Sequence, residues 1–335
     1  MGGYYQPDPW AAFMTSLHSG EQLDTYRIEG LVARSGMASI FRATDMRTGR
    51  QVAVKIPHPE MEADPVLYDR FKREGEIGET LDHPGVMKVF GDDNRSQVYM
   101  VMEWVPGRLL RQVLRDQPVM PQERAIRIAV AIADALNYIH RNGVVHRDLK
   151  PENIMLDGED HVKLIDFGIA GQTGARRLTF GKLSQVMGTP DYISPEQVKG
   201  KRGDARSDIY SLGVMLYEML TGKVPFVGPN PFAIMNDRLI NNPIPPREVN
   251  PAISPELQEV IYRAIEREPQ NRYSTAGEFA WDLERLDQVG VAERPELHDW
   301  KKRRTPWLRR ILFYIAMALI PVVVLGLLLL VARRG

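Results

Sequence analysis

Two motifs that lie close together in the second half of the chain decide its fold. The first is HRDLKPEN at residues 146–153, which leads into the apolar run IML at 154–156. The second is DFG at 166–168, which ends the strand-like run HVKLI at 161–165. A DFG triplet alone carries little information, but the two motifs at this short spacing are highly specific. They also supply amide and carboxylate oxygens, the ligands that suit Mg²⁺.

This pair of motifs resembles the eukaryotic-like serine/threonine protein kinases, and most of all their bacterial, membrane-anchored (Hanks-type) branch. The resemblance covers about residues 25–290. It implies an α+β, two-lobed protein-kinase fold, with a small antiparallel β lobe carrying one helix at 25–104 and a larger helical lobe at 105–290. It also implies that ATP binds between the lobes and that Ser or Thr hydroxyls of proteins accept its γ-phosphoryl group.

The resemblance assigns a role to each polar residue of the two motifs. Asp148 orients the substrate hydroxyl and accepts its proton, and Lys150 screens the moving phosphoryl group. Asn153 and Asp166 bind Mg²⁺, with Mn²⁺ as an alternative metal. Phosphoryl transfer needs charge neutralisation and alignment more than covalent help, and these residue types provide both.

The first lobe supplies a phosphate-binding lysine. The run VAVK at 52–55 alternates like a strand and ends in Lys55, and taken alone it predicts an ordinary strand with a solvated lysine. The charged segment at 64–81 is helical by pattern and contains Glu74. The resemblance implies that Lys55 binds the α- and β-phosphates and that Glu74 holds it in an ion pair. Gly75 and Gly78 each cost this helix about 1 kcal/mol relative to alanine, so we expect it to be easily displaced.

The resemblance also places an apolar adenine pocket between the lobes. Met102 resembles the gatekeeper residue, and the backbones of Glu103 and Val105 are expected to hydrogen-bond the adenine edge. Simple core packing is the alternative for each apolar position. The residues expected to sandwich the base are Val32, Ile40, Ala53 and Met155.

The glycine-rich phosphate loop departs from the family pattern. By its flanking strands the loop falls on Ala33, Arg34, Ser35, Gly36, Met37 and Ala38, and all three positions of the G-x-G-x-x-G motif carry Ala or Ser. A Cβ restricts φ and close backbone approach. We therefore expect weaker ATP binding or slower turnover, with function retained.

Further along the chain, the resemblance implies a substrate-docking segment and an activation loop. GTPDYISPE at 188–196 resembles the docking segment, and its Glu196 is expected to pair with Arg272. Asp208 is expected to support the catalytic-loop backbone. Arg147 suggests activation by a phosphorylated loop. The candidate phosphorylation sites are Thr173, Thr179 and Ser184, and our hypothesis is autophosphorylation at Thr179 or Ser184. Homodimerisation would favour such phosphorylation in trans.

Composition and charge separate the body of the chain from its tail. The 335 residues contain no Cys, which excludes disulfides, zinc thiolate sites and cysteine nucleophiles. Residues 300–335 contain Lys and Arg but no acid, so the acidic excess lies in residues 1–299 and argues against nucleic acid as a partner. Residues 311–332 carry no charge and are long enough to span a bilayer.

The tail therefore predicts a single-pass membrane protein. The basic juxtamembrane linker at 291–310 holds most of the flanking positive charge, which predicts a kinase domain on the cytoplasmic side of the cell membrane. The transmembrane helix at 311–332 would end in a short far-side tail at 333–335, and residues 1–24 are expected to form a loose leader. A buried core helix is the alternative for 311–332.

Two other function classes remain open. A pseudokinase would keep the fold as a binding module or scaffold, and only the substituted glycine loop favours it. A kinase-fold enzyme acting on a small molecule is the third class, against which the segment at 188–196 and Lys150 argue. Lys55, Glu74, Asp148, Asn153 and Asp166 are all present and favour the protein kinase.

Overall fold

The computed structural model describes residues 17–35, 37–62, 64–91, 95–166 and 190–292. They form a strand-rich lobe followed by a helical lobe, as the resemblance predicted. The predicted transmembrane helix at 311–332, the far-side tail and most of the juxtamembrane linker lie outside the described residues. Within the described ranges, each helix is too short or too polar to cross a bilayer.

The first lobe is built on a six-stranded antiparallel sheet. The sheet has the order β1-β2-β3-β4-β6-β5, and one of its faces buries aromatic and β-branched side chains such as Tyr26, Phe41 and Val54. The outer half of β2 leaves the core, so that Leu31 and Val32 are exposed at the start of the phosphate loop. The strands are β1 (Gln22–Leu23), β2 (Tyr26–Arg34), β3 (Ala38–Asp45), β4 (Gln51–Pro57), β5 (Val89–Phe90) and β6 (Met100–Glu103).

The last part of the expected leader belongs to this lobe. Leu17 and Leu23 are buried in the same cluster as the sheet, and β1 pairs with β2. Asp24 accepts hydrogen bonds from the Tyr99 hydroxyl at 2.6 Å and from the Ser96 N–H at 3.0 Å. The expectation of a loose leader therefore does not hold for residues 17–24, because buried leucines and a polar tie anchor them; residues 1–16 lie outside the described part.

Two helices, α1 (Pro59–Glu62) and α2 (Pro65–Thr80), follow β4. Asp64 caps α2 by accepting hydrogen bonds from the N–H groups of Val66 and Leu67. Near the other end, a Cβ on Gly78 would lie 2.4 Å from Cγ2 of Val89 on β5. The glycine thus lets the helix approach the sheet closely, which offsets part of its propensity cost.

The second lobe is organised around a buried central helix, α6 (Ala205–Thr221). Its N-terminus is capped by Asp204 and its C-terminus by Gly222 at φ +67°, and nearly every residue in between is buried. The other helices are α3 (Leu110–Asp116), α4 (Gln122–Arg141), α5 (Pro195–Val198), α7 (Pro231–Ile240), α8 (Pro246–Val249), α9 (Pro255–Ala264) and α10 (Ala276–Glu284). Short 3₁₀ turns lie at Pro151–Asn153, Pro190–Tyr192, Pro269–Asn271 and Leu286–Gln288.

A small sheet of the second lobe is joined to the first lobe by two backbone hydrogen bonds. Strands β7 (Arg108–Leu109), β8 (Ile154–Leu156) and β9 (Val162–Leu164) form a three-stranded antiparallel sheet. Leu164 on β9 accepts a hydrogen bond from the N–H of Met87 at 3.0 Å and donates one to the carbonyl of Gly85 at 2.8 Å. The strand that leads to Asp166 is thereby fixed against the first lobe.

Candidate active site

The backbone just before Asp148 is held by a buried carboxylate at the start of α6. Asp208 accepts hydrogen bonds from the backbone N–H groups of His146 at 2.9 Å and Arg147 at 2.7 Å. Arg147 has φ +64°, a conformation that a non-glycine residue keeps only when its surroundings enforce it. Asp208 thus occupies the supporting position that the resemblance predicted for it.

The side chain of Asp148 faces the cleft and is 57% exposed, so it is accessible to a substrate. Lys150 Nζ lies 2.6 Å from its Oδ2 atom. Asn153 is buried and donates its Nδ2–H to the Asp148 carbonyl at 2.8 Å. A proton acceptor, a cation and an amide are therefore collected within one turn of chain.

Lys55 pairs with one carboxylate from each lobe. Its Nζ atom lies 2.8 Å from Glu74 Oε1 on α2 and 2.8 Å from Asp166 Oδ1, which follows β9. The predicted ion pair between Lys55 and Glu74 is present. Asp166 has φ +65°, a second strained residue at this site.

The pKa values of Lys55, Glu74 and Asp166 are shifted to different extents. Burial raises the pKa of Glu74 to about 7, although the Lys55 ammonium opposes that shift. Burial by itself would lower the pKa of Lys55, but the Asp166 and Glu74 carboxylates outweigh it and raise this pKa. The Lys55 ammonium holds the pKa of Asp166 well below its usual range. Lys55 and Asp166 therefore stay charged at neutral pH, whereas Glu74 titrates there.

The oxygens expected to bind a divalent cation lie on adjacent segments. The N–H of Ile165 donates to the Asn153 carbonyl at 2.9 Å, which brings the residue before Asp166 against Asn153. Because Asn153 uses its Nδ2 as a donor, its Oδ1 is the atom suited to a cation. Across the described ranges, no group of three or more His, Cys, Asp or Glu residues is placed to hold a metal ion. Two oxygen side chains fit a cation such as Mg²⁺, which keeps waters and phosphates as its other ligands.

The expected adenine pocket has an apolar wall. Ala53, Met102 and Val105 are buried in one cluster, and Ile40 and Met155 pack against it. Val32 is half-exposed at the mouth of the cleft. Glu103 donates its backbone N–H to the Lys88 carbonyl at 2.8 Å, so the adenine contact expected of Glu103 falls to its carbonyl oxygen.

Comparison with known proteins agrees with this geometry. The family model described as the protein kinase domain matches residues 26–280. The chain belongs to the protein kinase domain family. It is 39% identical over 280 residues to the serine/threonine-protein kinase PknB of Mycobacterium leprae, and 38% identical over 280 residues to PknB of Mycolicibacterium smegmatis.

These alignments cover 82% of this chain but only 45% of either relative, so the chain spans less than half the length of the PknB proteins. Among solved structures, the Mycobacterium tuberculosis PknI kinase domain matches with a TM-score of 0.63 at 26% identity. That match covers 81% of this chain and 100% of the PknI domain. The two-lobed kinase fold is therefore shown.

A serine of the expected phosphate loop makes hydrogen bonds to the backbone of that loop. Ser35 Oγ accepts hydrogen bonds from the N–H groups of Met37 at 3.2 Å and Ala38 at 3.1 Å, and donates to the Ala38 carbonyl at 3.0 Å. None of the described loop residues has a positive φ. The side chains of Ala33, Ser35 and Ala38 are thus tolerated sterically, but the N–H groups of Met37 and Ala38 already have Ser35 Oγ as their acceptor. Arg34 is the last residue of β2, and Gly36 lies outside the described residues.

A buried ion pair ties the docking segment to the rest of the second lobe. Arg272 donates from Nη1 and Nη2 to the two carboxylate oxygens of Glu196 at 2.8 and 2.7 Å, and its side chain is fully buried. Ser207 on α6 donates to Glu196 at 2.6 Å. The predicted pair of Glu196 and Arg272 is therefore present. The candidate phosphosites Thr173, Thr179 and Ser184 lie outside the described residues.

Sequence reasoning missed one polar cluster beside the catalytic loop. Arg111 on α3 lies 2.8 Å from Glu152 Oε1 and 2.8 Å from Glu218 Oε1, and it also donates to the Tyr192 hydroxyl. These residues come from four segments, and two of them, Glu152 and Tyr192, belong to motifs recognised in the sequence. The signal that could have found it is the arginine among the leucines and valine of LLRQVL at 109–114.

Proposed function

We propose that this chain is an ATP-dependent serine/threonine protein kinase. The observation that carries the proposal is the network of Lys55, Glu74 and Asp166, which brings residues of both lobes to the cleft that Asp148 faces. Membership of the protein kinase domain family and the names of the PknB relatives support the same activity. The geometry and the chemistry of phosphoryl transfer support the proposed residue roles.

In the proposed reaction, Asp148 accepts the proton of a substrate Ser or Thr hydroxyl. The hydroxyl oxygen forms a bond to the γ-phosphorus, the bond from that phosphorus to its bridging oxygen breaks, and ADP leaves. Lys55 holds the α- and β-phosphates, while Lys150 screens the transferred group. A divalent cation, Mg²⁺ or Mn²⁺, held by Asn153 and Asp166 would neutralise charge on the phosphates.

The full chain should be incubated with γ-labelled ATP, Mg²⁺ and a general protein substrate, and the labelled amino acids then identified. We expect phosphoserine and phosphothreonine, and no transfer when the divalent cation is chelated. Label found only on tyrosine, or only on a small molecule, would contradict the proposal.

We further propose that the kinase autophosphorylates its activation loop, in trans between two copies. Arg147 supports this proposal, because its Nη1 atom is buried and finds no hydrogen-bond partner among the described residues. Burial and the neighbouring Arg202 lower the pKa of Arg147, although the carboxylates of Asp208 and Asp204 oppose that shift. A phosphate of about −1.5 to −2 charge would stabilise this cation further. Thr179 and Ser184 are the proposed acceptors, with Thr173 as a third candidate.

Phosphopeptide mapping of active enzyme tests the acceptor sites. We expect label on Thr179 or Ser184, and a specific activity that rises with enzyme concentration as trans phosphorylation requires. An active enzyme with neither residue modified would overturn this part of the proposal.

Finally, we propose that residues 311–332 anchor the kinase as a single-pass span with residues 1–310 on the cytoplasmic side. The uncharged run and its basic flank support the proposal. The full chain should remain with membranes after extraction at alkaline pH, whereas a chain truncated after Leu297 should be released. Release of both proteins would contradict the anchor.

A further inference from the structure

An open cavity of about 570 Å³ lies beside the catalytic loop, and both acidic and basic side chains line it. Glu152, one of its lining residues, belongs to the 3₁₀ turn that directly follows Lys150. Glu152 lies four positions after Asp148, so the cavity adjoins the segment that would meet a substrate hydroxyl. The lining residues are Leu109, Arg111, Gln112, Arg115, Glu152, Asp191, Tyr192 and Glu218.

Three carboxylates converge on this cavity. Glu218 comes from the central helix α6, Glu152 from the catalytic segment and Asp191 from the docking segment. Burial raises the pKa of Asp191 and the carboxylates of Glu218 and Glu152 add to that shift, whereas the guanidinium groups of Arg238 and Arg111 oppose it. Carboxylates that share one site are stabilised in their charged form by a nearby cation.

The cation is supplied by the protein itself. Arg111 reaches from α3 with Nε 2.8 Å from Glu152 and Nη1 2.8 Å from Glu218. Its third nitrogen donates to the Tyr192 hydroxyl, which in turn donates to Glu218. All three guanidinium nitrogens are thus bonded to the acidic wall of the cavity.

We propose that Arg111 is a specificity-determining residue, which occupies the acidic wall in place of a basic side chain of the substrate. While Arg111 pairs with Glu152 and Glu218, an arginine or lysine near the phosphoacceptor gains no partner there. The wild-type kinase therefore accepts substrates without a requirement for basic residues. Removing the guanidinium leaves Glu152 and Glu218 without this counter-charge, although the Tyr192 hydroxyl still donates to Glu218, and a basic substrate residue then neutralises them.

This inference rests on the proposed kinase activity. The test is a set of Ser-containing peptides in which Arg, Leu or Glu is placed in turn at each position within four residues of the serine. Values of kcat/KM are compared for the wild type, Arg111→Leu and Arg108→Leu. Arg108 is the matched control, because it lies next to α3, is half-exposed, pairs with Asp116 and does not line the cavity.

For the wild type and Arg108→Leu, we expect kcat/KM for Arg and Leu peptides to agree within about three-fold at every position. For Arg111→Leu, we expect a preference of at least ten-fold for Arg over Leu at one position, carried mainly by KM. That preference should disappear in the double variant Arg111→Leu, Glu218→Gln. A structural role alone would lower activity on all peptides without changing their ranking.

The melting temperature of each variant is measured to establish that it folds. If Arg111→Leu does not fold, Arg111→Gln, which keeps hydrogen-bond donors without the charge, takes its place with the same expected preference. A wild type that already selects Arg by ten-fold, or a folded variant without any gain for Arg, would overturn the inference while leaving the kinase proposal intact. A wild type that phosphorylates no peptide and no protein would overturn both.

Discussion

At the scale of single residues, Glu74 is the group of the active site that responds to pH near neutrality. Burial raises the pKa of Glu74 to about 7, so the carboxyl is protonated below that pH and the ion pair with Lys55 is lost. Asp166 stays ionised there, because Lys55 lowers its pKa. Protonation of Glu74 thus removes one of the two charged partners of Lys55 and leaves Asp166 as the other.

We predict that kcat/KM for ATP falls as the pH is lowered through about 7, and that Glu74→Gln flattens this dependence. The variant should also lower kcat/KM by about 100-fold at pH 8, since a misplaced Lys55 no longer aligns the phosphates. Steady-state kinetics between pH 5.5 and 8.5 checks both effects. An unchanged pH profile in Glu74→Gln would mean that another group titrates.

Ser35 is the second residue with a distinct expected effect. Its hydroxyl oxygen accepts hydrogen bonds from the N–H groups of Met37 and Ala38, which would otherwise be available to donate to the phosphates of ATP. Removing that acceptor by Ser35→Ala should tighten ATP binding by about five-fold, since one such hydrogen bond contributes about 1 kcal/mol. Calorimetric titration with ATP measures the effect, and Ser39→Ala on the adjacent strand is the control. Weaker binding in Ser35→Ala would show that the serine supports the bound state.

At the scale of elements, α2 carries two glycines with opposite surroundings. A Cβ on Gly75 would meet Met100 Cε at 3.6 Å, an ordinary contact, whereas a Cβ on Gly78 would lie 2.4 Å from Val89. Gly75→Ala should therefore stabilise the protein by about 1 kcal/mol through helix propensity. Gly78→Ala should destabilise it by about 1–3 kcal/mol through overpacking. Urea denaturation of the two variants measures the contrast, and equal shifts would contradict the packing of α2 on β5.

The same elements show how far sequence reasoning reaches. Lys55, Glu74 and the Glu196–Arg272 pair were predictable, because short motifs fix them within strands and helices of a resembled family. From the sequence alone Gly78 only lowers the helix propensity of α2, because its contact with Val89 is made across 11 positions of sequence. The tie of Asp24 to Tyr99 and the Arg111 cluster depend on side chains far apart in the chain, and such contacts leave no local pattern.

At the scale of the whole molecule, the pair of Glu196 and Arg272 joins α5 to the segment that precedes α10. Burial alone would raise the pKa of Glu196, but hydrogen bonds from Arg272 and Ser207 outweigh it and lower this pKa. The pair therefore stabilises the fold above the ordinary pKa of a carboxyl, and its contribution is lost as the pH falls through the lowered value.

Glu196→Gln should lower the free energy of unfolding by about 3–5 kcal/mol at pH 7, because it leaves Arg272 buried without its counter-charge. The difference from the wild type should shrink as the pH falls from the ordinary pKa of a carboxyl through the lowered pKa of Glu196, where the native glutamate becomes protonated. Urea denaturation at several pH values tests this. Glu284→Gln, an exposed carboxyl, is the control, and a loss that stays constant with pH would contradict the account.

The central claim is that the two lobes assemble one phosphoryl-transfer site around Asp148. The most direct test compares phosphate incorporation from labelled ATP by the full chain and by Asp148→Asn, with ATP binding and thermal melting measured on both. We predict incorporation by the wild type and at least a 1,000-fold loss in Asp148→Asn, with both proteins folded and binding ATP. Equal incorporation by the two, or none by a wild type that still binds ATP, would contradict the claim and favour a pseudokinase.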